Sequence, residues 1–382
     1  MGTIERLELY ELTLALVEPF IISGGTMTHR RSLVVVVHDD QGHRGYGESP
    51  PFELPFYSDE TLAGARYLLE QVLLPRIFRA QADSPEAAEA VLRDGIRGNR
   101  FARAAVDTAL WDLQAAREKT GVGQLLARRL GVEAARVIDC GVALGIPQDR
   151  SLETLRGWIE RSAAHGYRRV KIKVAPGWDA EPTKAAREAL SGTNLPLTVD
   201  ANGAYEWPAH ERNLRALDDY DLLYIEQPLA PEELVGHARL VKELRTPVCL
   251  DETLHDERAA RQIAELAGPN VWNIKVHRVG GLSEVCRIYR RAREYGAKLW
   301  AGTMPESGIG SQAALAAAAL PGFVYPSDLE PSSRWFGCDS DVVELVMSAD
   351  GRMTVPDRSV SQLLDHDRFR NATRLLAVTK AA

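Results

Sequence analysis

Apolar and polar positions alternate near the start of the chain and then give way to longer, helical periods. Residues 4–17 and 32–39 read as strands, the second carrying the run Leu33-Val-Val-Val-Val37. Between them, 18–27 reads as a glycine-containing loop with apolar residues, and Asp39-Asp-Gln-Gly42 is a hairpin-turn signal leading into a third strand, Gly45-Tyr-Gly-Glu48. A proline-rich aromatic loop, 50–57, follows. Helical spacing then predicts helices over about 59–79, 85–93 and 98–118, the last with Ala102, Ala105, Val106, Ala109 and Leu110 on one face. Three strands followed by helices describe an α+β unit. From about residue 137 strand and helix alternate until about 323, which favours a parallel sheet. The tail shows an apolar stretch at 342–347, a turn at Asp350-Gly351 and a short final strand or helix, the kind of segment that packs back on the N-terminal unit.

Within the alternating region five chemically active residues recur at nearly constant spacing: Lys173, Asp200, Glu226, Asp251 and Lys275, separated by 27, 26, 25 and 24 positions. Each ends a short apolar run, such as Val170-Lys-Ile-Lys173 or Val271-Trp-Asn-Ile-Lys275. One buried strand plus one helix occupies about that length, so the spacing is that of a repeating β-α unit. If the units close into a barrel, all five side chains gather at its carboxyl-terminal mouth, where such barrels do chemistry.

Three carboxylates from neighbouring strand ends suit a hard divalent ion, best Mg²⁺, which leaves positions for water and substrate oxygens. Such an ion stabilises the charge that builds when a proton leaves the carbon next to a carboxylate. Lys171 and Lys173 share one strand face. Neighbouring cations would depress their proton affinity towards neutrality, so that one acts as a base while the other supplies positive charge. Lys275 falls roughly across a closed mouth. Two bases on opposite sides of a carbon are what a racemase needs; elimination or cycloisomerisation needs one. Taken singly, Asp200 and Asp251 would serve as helix caps, and Lys275 as a structural ion pair or the Schiff-base lysine of a barrel aldolase. Glu226, in Ile225-Glu-Gln-Pro228, resists a structural reading because its charge sits where the strand is most apolar.

At 382 residues two domains are expected. A net charge of −7 without a basic tract argues against a nucleic-acid surface. The N-terminus lacks a signal-peptide core, and the most alanine-rich apolar run, 313–320, is too short to span a bilayer. Cys140, Cys249, Cys286 and Cys338 form no CxxC pair, which reads as buried thiols in a reducing, cytoplasmic setting; the nine scattered histidines show no zinc-ligand spacing.

With these residues in view, the chain resembles the enolase superfamily, and within it the muconate-lactonising-enzyme subgroup with its Lys-x-Lys motif. It is most similar there to o-succinylbenzoate synthases and N-acylamino acid racemases. The likeness rests on Val170-Lys-Ile-Lys-Val174, Asp200-Ala-Asn-Gly203, Ile225-Glu-Gln-Pro228, Leu250-Asp-Glu-Thr253 and Asn273-Ile-Lys-Val-His-Arg278, with Gly302-Thr-Met-Pro-Glu-Ser307 as a substrate-facing loop and 53–57 as a capping loop. The resemblance implies a (β/α)7β TIM-like barrel with an α+β N-terminal capping domain completed by the C-terminal tail, divided as 1–130, 131–335 and 336–382. It implies Asp200, Glu226 and Asp251 as ligands of Mg²⁺ (Mn²⁺ as substitute), Lys173 and Lys275 as the acid/base pair, and Lys171 as an electrostatic assistant. Phe20, Phe56, Tyr57, Arg278, Met304, Glu306 and Ser307 would contact a small carboxylate substrate, with no nucleic-acid or membrane partner and a homo-oligomeric state. Dehydration to o-succinylbenzoate and N-acylamino acid racemisation are the reactions expected, with dipeptide epimerisation and muconate cycloisomerisation as alternatives on the same site. Asp328-Leu-Glu330 resembles, imperfectly, the Asp-x-Asp that holds a substrate ammonium in dipeptide epimerases.

Overall fold

The unbroken run Leu33–Val37 is apolar because both faces of its strand are covered. The computed structural model of the protein describes residues 2–22, 25–337 and 339–381, with the backbone alone at 20–22, 25 and 26. In it, β1 (Ile4–Ile22), β2 (Gly25–Asp39) and β3 (Arg44–Ser49) form an antiparallel sheet in sequence order. Leu7, Leu9, Leu33, Val35 and Val37 face the helical run 62–80 and the helix Arg100–Arg117. Leu12, Leu14, Val34 and Val36 face the other way, against Ile309, Phe336, Val342, Val343, Val360 and Phe369 from the later chain. A half-exposed sheet would alternate in sequence; one covered on both sides need not.

The segment expected as a loop at 18–27 is instead the far end of a long hairpin, with Phe20 opposite Met27 and Ile22 opposite Gly25. Apolar residues there extend the ladder rather than end it. The Phe20 side chain lies outside the described residues.

Next come β4 (Val137–Asp139), β5 (Gly141–Leu144), β6 (Arg169–Lys173), β7 (Leu197–Asp200), β8 (Ile225–Glu226), β9 (Val248–Leu250), β10 (Val271–Ile274) and β11 (Lys298–Ala301). Strands β5 to β11 make one seven-stranded sheet in strict sequence order. Every pair in it is parallel. Helices connect most of them, as parallel strands require. Apolar side chains of β5 to β8 pack with the helices that follow them into one large core. The expected eighth strand is not a regular one. Residues 323–328 make single parallel bridges, Phe323 with Leu299 on one side and Ser327 with Cys140 on the other.

β12 (Arg352–Thr354) pairs with β4, and β13 (Thr373–Lys380) pairs antiparallel with β1, adding a fourth strand to the first sheet. The tail stretch at 342–347 makes no ladder: Val342, Val343 and Leu345 are buried by packing, so its apolar character reports burial and not strand pairing. Among the described residues no helix is long and apolar enough to cross a membrane.

The helix Arg100–Arg117 lies so close on β3 that glycine is required beneath it. A methyl at Gly47 would stand 2.1 Å from the Ala105 carbonyl oxygen, and one at Gly45 the same distance from that of Ala109. Gly47→Ala should therefore cost about 1–3 kcal/mol of stability, read as a lower denaturant midpoint with an unchanged slope.

Candidate active site

Parallel pairing in register turns the 24–27 residue spacing into physical adjacency. Lys173 lies opposite Asp200, Asp200 opposite Glu226, and Glu226 opposite Cys249, so Asp251 stands two residues further along the next strand. Lys275 follows the last residue of β10. An amine thus stands at each end of a row of acids, all three of them buried.

Contacts divide the row into two groups. In the first, the Lys173 Nζ donates to Asp200 Oδ2 at 2.5 Å and to Asn202 Oδ1 at 2.6 Å. Lys171 Nζ lies 2.9 Å from Glu226 Oε2, 2.6 Å from Asp328 Oδ2 and 3.6 Å from Asp200 Oδ2, above the Trp300 ring. Asn273 Nδ2 donates to the other Glu226 oxygen at 2.8 Å. In the second, Lys275 Nζ donates to Asp251 Oδ2 and to the Tyr57 hydroxyl, both at 2.9 Å. Arg278 lies 2.9 Å from Asp251 Oδ1, an oxygen that accepts no hydrogen bond of good geometry. Asn202 links the groups by donating to Glu252 Oε1 at 2.9 Å.

Burial and the Asp200 charge push the Glu226 carboxyl up to about 8, against the pull of Lys171. Burial would raise Asp200 as well, but Lys173 and Lys171 outweigh it and hold it low. Lys275 and Arg278 do the same for Asp251. The expected depression of the lysines is not found where a shift is resolved. Burial pulls the Lys171 ammonium down, yet Asp328, Glu226 and Asp200 hold it well above its ordinary value. Asp251 and Glu252 similarly raise Lys275 against its burial. The sequence argument counted neighbouring cations and missed that each amine rests directly on a carboxylate.

Among the described residues no group of three or more histidine, cysteine, aspartate or glutamate side chains is arranged to hold a metal ion as it stands. The ammonium groups of Lys171, Lys173 and Lys275 lie on the very oxygens that such an ion would need. The donor chemistry nonetheless fits a hard divalent ion: three buried carboxylates gather at the ends of successive strands, and all offer oxygen ligands.

Comparison with known proteins agrees with this arrangement. Residues 154–359 match the family described as enolase C-terminal domain-like, and residues 8–127 match the mandelate racemase / muconate lactonizing enzyme N-terminal domain. The N-succinylamino acid racemase of Thermus thermophilus is 42% identical over 355 residues, 93% of this chain and 92% of its own. The o-succinylbenzoate synthase of Geobacillus kaustophilus is 38% identical over 358 residues, 93% of this chain and 91% of its own. The chain belongs to the enolase superfamily. A superfamily member of known structure from Listeria innocua superposes with a TM-score of 0.90 at 32% identity, covering 99% of each chain. As an enolase-superfamily protein the chain is an enzyme of lyase or isomerase type.

The remaining expected residues fall into two places. Phe56, Tyr57 and Met304 meet in an aromatic cluster with Phe52 and Phe101, which brings the capping loop of this superfamily member over the end of the sheet. Glu306 and Ser307 are engaged elsewhere: Ser307 caps the helix Gly308–Ala318 and donates to Glu48, and Glu306 is buried beside Arg30, Glu48 and His277. Arg278 is committed to Asp251 and to the carbonyls of Leu254 and Asn273. Sequence reasoning missed Asn202, Glu252 and Asn273, although each lies within two residues of a residue it singled out. It also missed Arg30, a fully buried cation that donates to the carbonyls of Pro50, Pro51, Met304 and Pro305 and so ties the capping loop to the 302–307 loop. Position 30 falls between the loop and the strand read from the sequence, so nothing there marked it; the structure places it inside β2.

Asp328 holds two buried cations, Lys171 and Arg169, and they keep its carboxyl far below the ordinary range despite its burial. Asp328→Asn leaves the buried Arg169 without a carboxylate and Lys171 with Glu226 and Asp200 alone, and should cost about 3–5 kcal/mol in urea denaturation at pH 7.

Proposed function

We propose that this enzyme removes the proton α to a substrate carboxylate with a lysine, and that it dehydrates a precursor to o-succinylbenzoate, racemises an N-acylamino acid, or does both. The observation that carries this reading is the row itself, in which buried acids in register on adjacent strands are flanked by Lys173 and Lys275. The relatives named as N-succinylamino acid racemase and o-succinylbenzoate synthase support it over nearly the whole chain. We read 1–130 as the cap, 131–335 as a (β/α)7β barrel and 336–382 as the segment returning to the cap. Closure of that barrel is supported by residues 323–328, which hydrogen-bond to Leu299 and Ala301 on one side and to Asp139 and Gly141 on the other.

Asp200, Glu226 and Asp251 would hold Mg²⁺, with Mn²⁺ as a substitute. When bound, the ion supplies Lewis acidity at the substrate carboxylate, which stabilises the charge that grows as the α-proton leaves. Lys173 takes or returns the proton on one side of that carbon and Lys275 on the other; in a dehydration one of them serves only as a cation. Lys171, held by Glu226 and Asp328, stays charged and offsets the acids without reacting. Tyr57 and the aromatic cluster around it close the site from the capping side and shed water from it.

Two alternatives lose ground on particular residues. Asp328 is neutralised by Arg169 and Lys171, and burial pushes Glu330 up to about 7 while its Oε1 accepts from the Ala143 amide. Asp328 is therefore not free to receive a substrate ammonium, which favours an N-acylated substrate over a dipeptide. A Schiff-base reaction at Lys275 has no use for the row of buried carboxylates beside it, which proton abstraction assisted by a divalent ion does use. Unpaired, buried Cys140, Cys249 and Cys286 support a reducing compartment.

Lys173→Ala should abolish exchange of the substrate α-proton with deuterated water, followed by proton NMR on an N-succinylamino acid and on the o-succinylbenzoate precursor. Near-normal exchange in that variant overturns the assignment.

A further inference from the structure

Lys173 differs from the other two lysines of the site in how it is held. Lys171 and Lys275 are buried, whereas the Lys173 side chain is 32% exposed, so packing does not fix its four-carbon stem. Its amine rests on Asp200, which Lys171 also approaches, and on Asn202.

The Asn202 amide is fixed from both ends. An ammonium can only donate, so Oδ1 faces Lys173 and Nδ2 is left to donate to Glu252. A flipped amide would turn an NH2 group towards an ammonium and an oxygen towards a carboxylate. The backbone is committed to the same end. Asn202 sits in the left-handed region at φ +42°, which asparagine tolerates better than most residues, and Gly203 follows at φ +76°. The turn is pinned by the Asn202 amide donating to Asp200 Oδ1 at 3.0 Å and the Gly203 amide donating to the Gln227 carbonyl at 2.7 Å. A strained turn at a strand end that delivers one amide to one lysine is the pattern expected of a positioning device. Lys275 has no part in it, being braced by Tyr57 and Asp251.

We propose that Asn202, anchored by Glu252, positions the Lys173 amine and thereby governs proton transfer on one side of the substrate α-carbon only. This rests on reading Lys173 and Lys275 as bases acting on opposite sides. Asn202 does no proton transfer itself; it holds the base where the α-proton will be. A small displacement of such a group costs up to about a hundredfold in rate, and the displacement here is confined to one lysine.

The test is the initial rate of α-proton loss in deuterated water from each enantiomer of one N-succinylamino acid, measured separately on the Mg²⁺-loaded enzyme. Lys173→Ala and Lys275→Ala define which enantiomer each lysine serves. Asn202→Ala should slow the Lys173 enantiomer by about ten- to a hundredfold and leave the other within about twofold. Glu252→Gln keeps an accepting oxygen for the Asn202 amide and should leave the rate for the Lys173 enantiomer within about twofold. Because both rates come from the same site, damage to folding or loading lowers them together and leaves the ratio alone. Equal slowing of both enantiomers by Asn202→Ala, an unchanged ratio, or preferential slowing on the Lys275 side overturns the proposal while the two-base reading stands. If the two lysine variants do not silence different enantiomers, that reading fails first and the proposal falls with it.

Discussion

Side-by-side burial of Asp200, Glu226 and Asp251 is the constraint on which this structure turns. Three carboxylates in neighbouring register on a parallel sheet repel one another in a place where water cannot screen them; burial first, and then the Asp200 charge, drive Glu226 up to about 8. The fold tolerates the arrangement because cations are brought to it from both sides. Lys171 and Lys173 come from the preceding strand, Lys275 from just past the end of the following one, and Arg278 from the short helix Val276–Val279 after that. Asp328 in turn balances Lys171 together with a second buried cation, Arg169. Such charges are expensive to bury unless paired, so the row is a feature held in place by the rest of the sheet rather than one that stabilises it.

The N-terminal sheet serves the same centre from above. Its strands are covered on both faces, which makes it rigid enough to carry the proline-rich loop that ends in Tyr57. Arg30, reaching from β2 to four carbonyl oxygens, fixes that loop against the 302–307 loop. Tyr57 then touches Lys275 and Asp251 directly. The capping unit therefore contributes a side chain to the charged row, and residues far apart in the chain share one hydrogen-bond network.

What could be read in advance followed from periodicity. Lys173, Asp200 and Glu226 were legible because each closes an apolar run and the runs recur at the length of one β-α unit. Parallel register does the rest. The hairpin end at 18–27 was misread because glycine and proline there look like loop signals, while the pairing of Phe20 with Met27 overrides them. The stretch 342–347 is apolar because Val342 and Val343 pack on the first sheet. The raised proton affinity of Lys171 had no signal in the sequence. It depends on Asp328, far along the chain from Lys171, and on contacts that no spacing reveals. Asn202 and Glu252 were visible only as neighbours of other residues, since their role lies in a bridge between two strand ends.

The central claim is that this row of acids shares one divalent ion, and it is tested most directly by titrating the chain with Mn²⁺ and counting bound ions from its paramagnetic resonance signal. One ion per chain should bind, displaced by Mg²⁺, with affinity falling steeply in each of Asp200→Asn, Glu226→Gln and Asp251→Asn. Unchanged binding in all three variants, or none in the parent protein, would contradict the account.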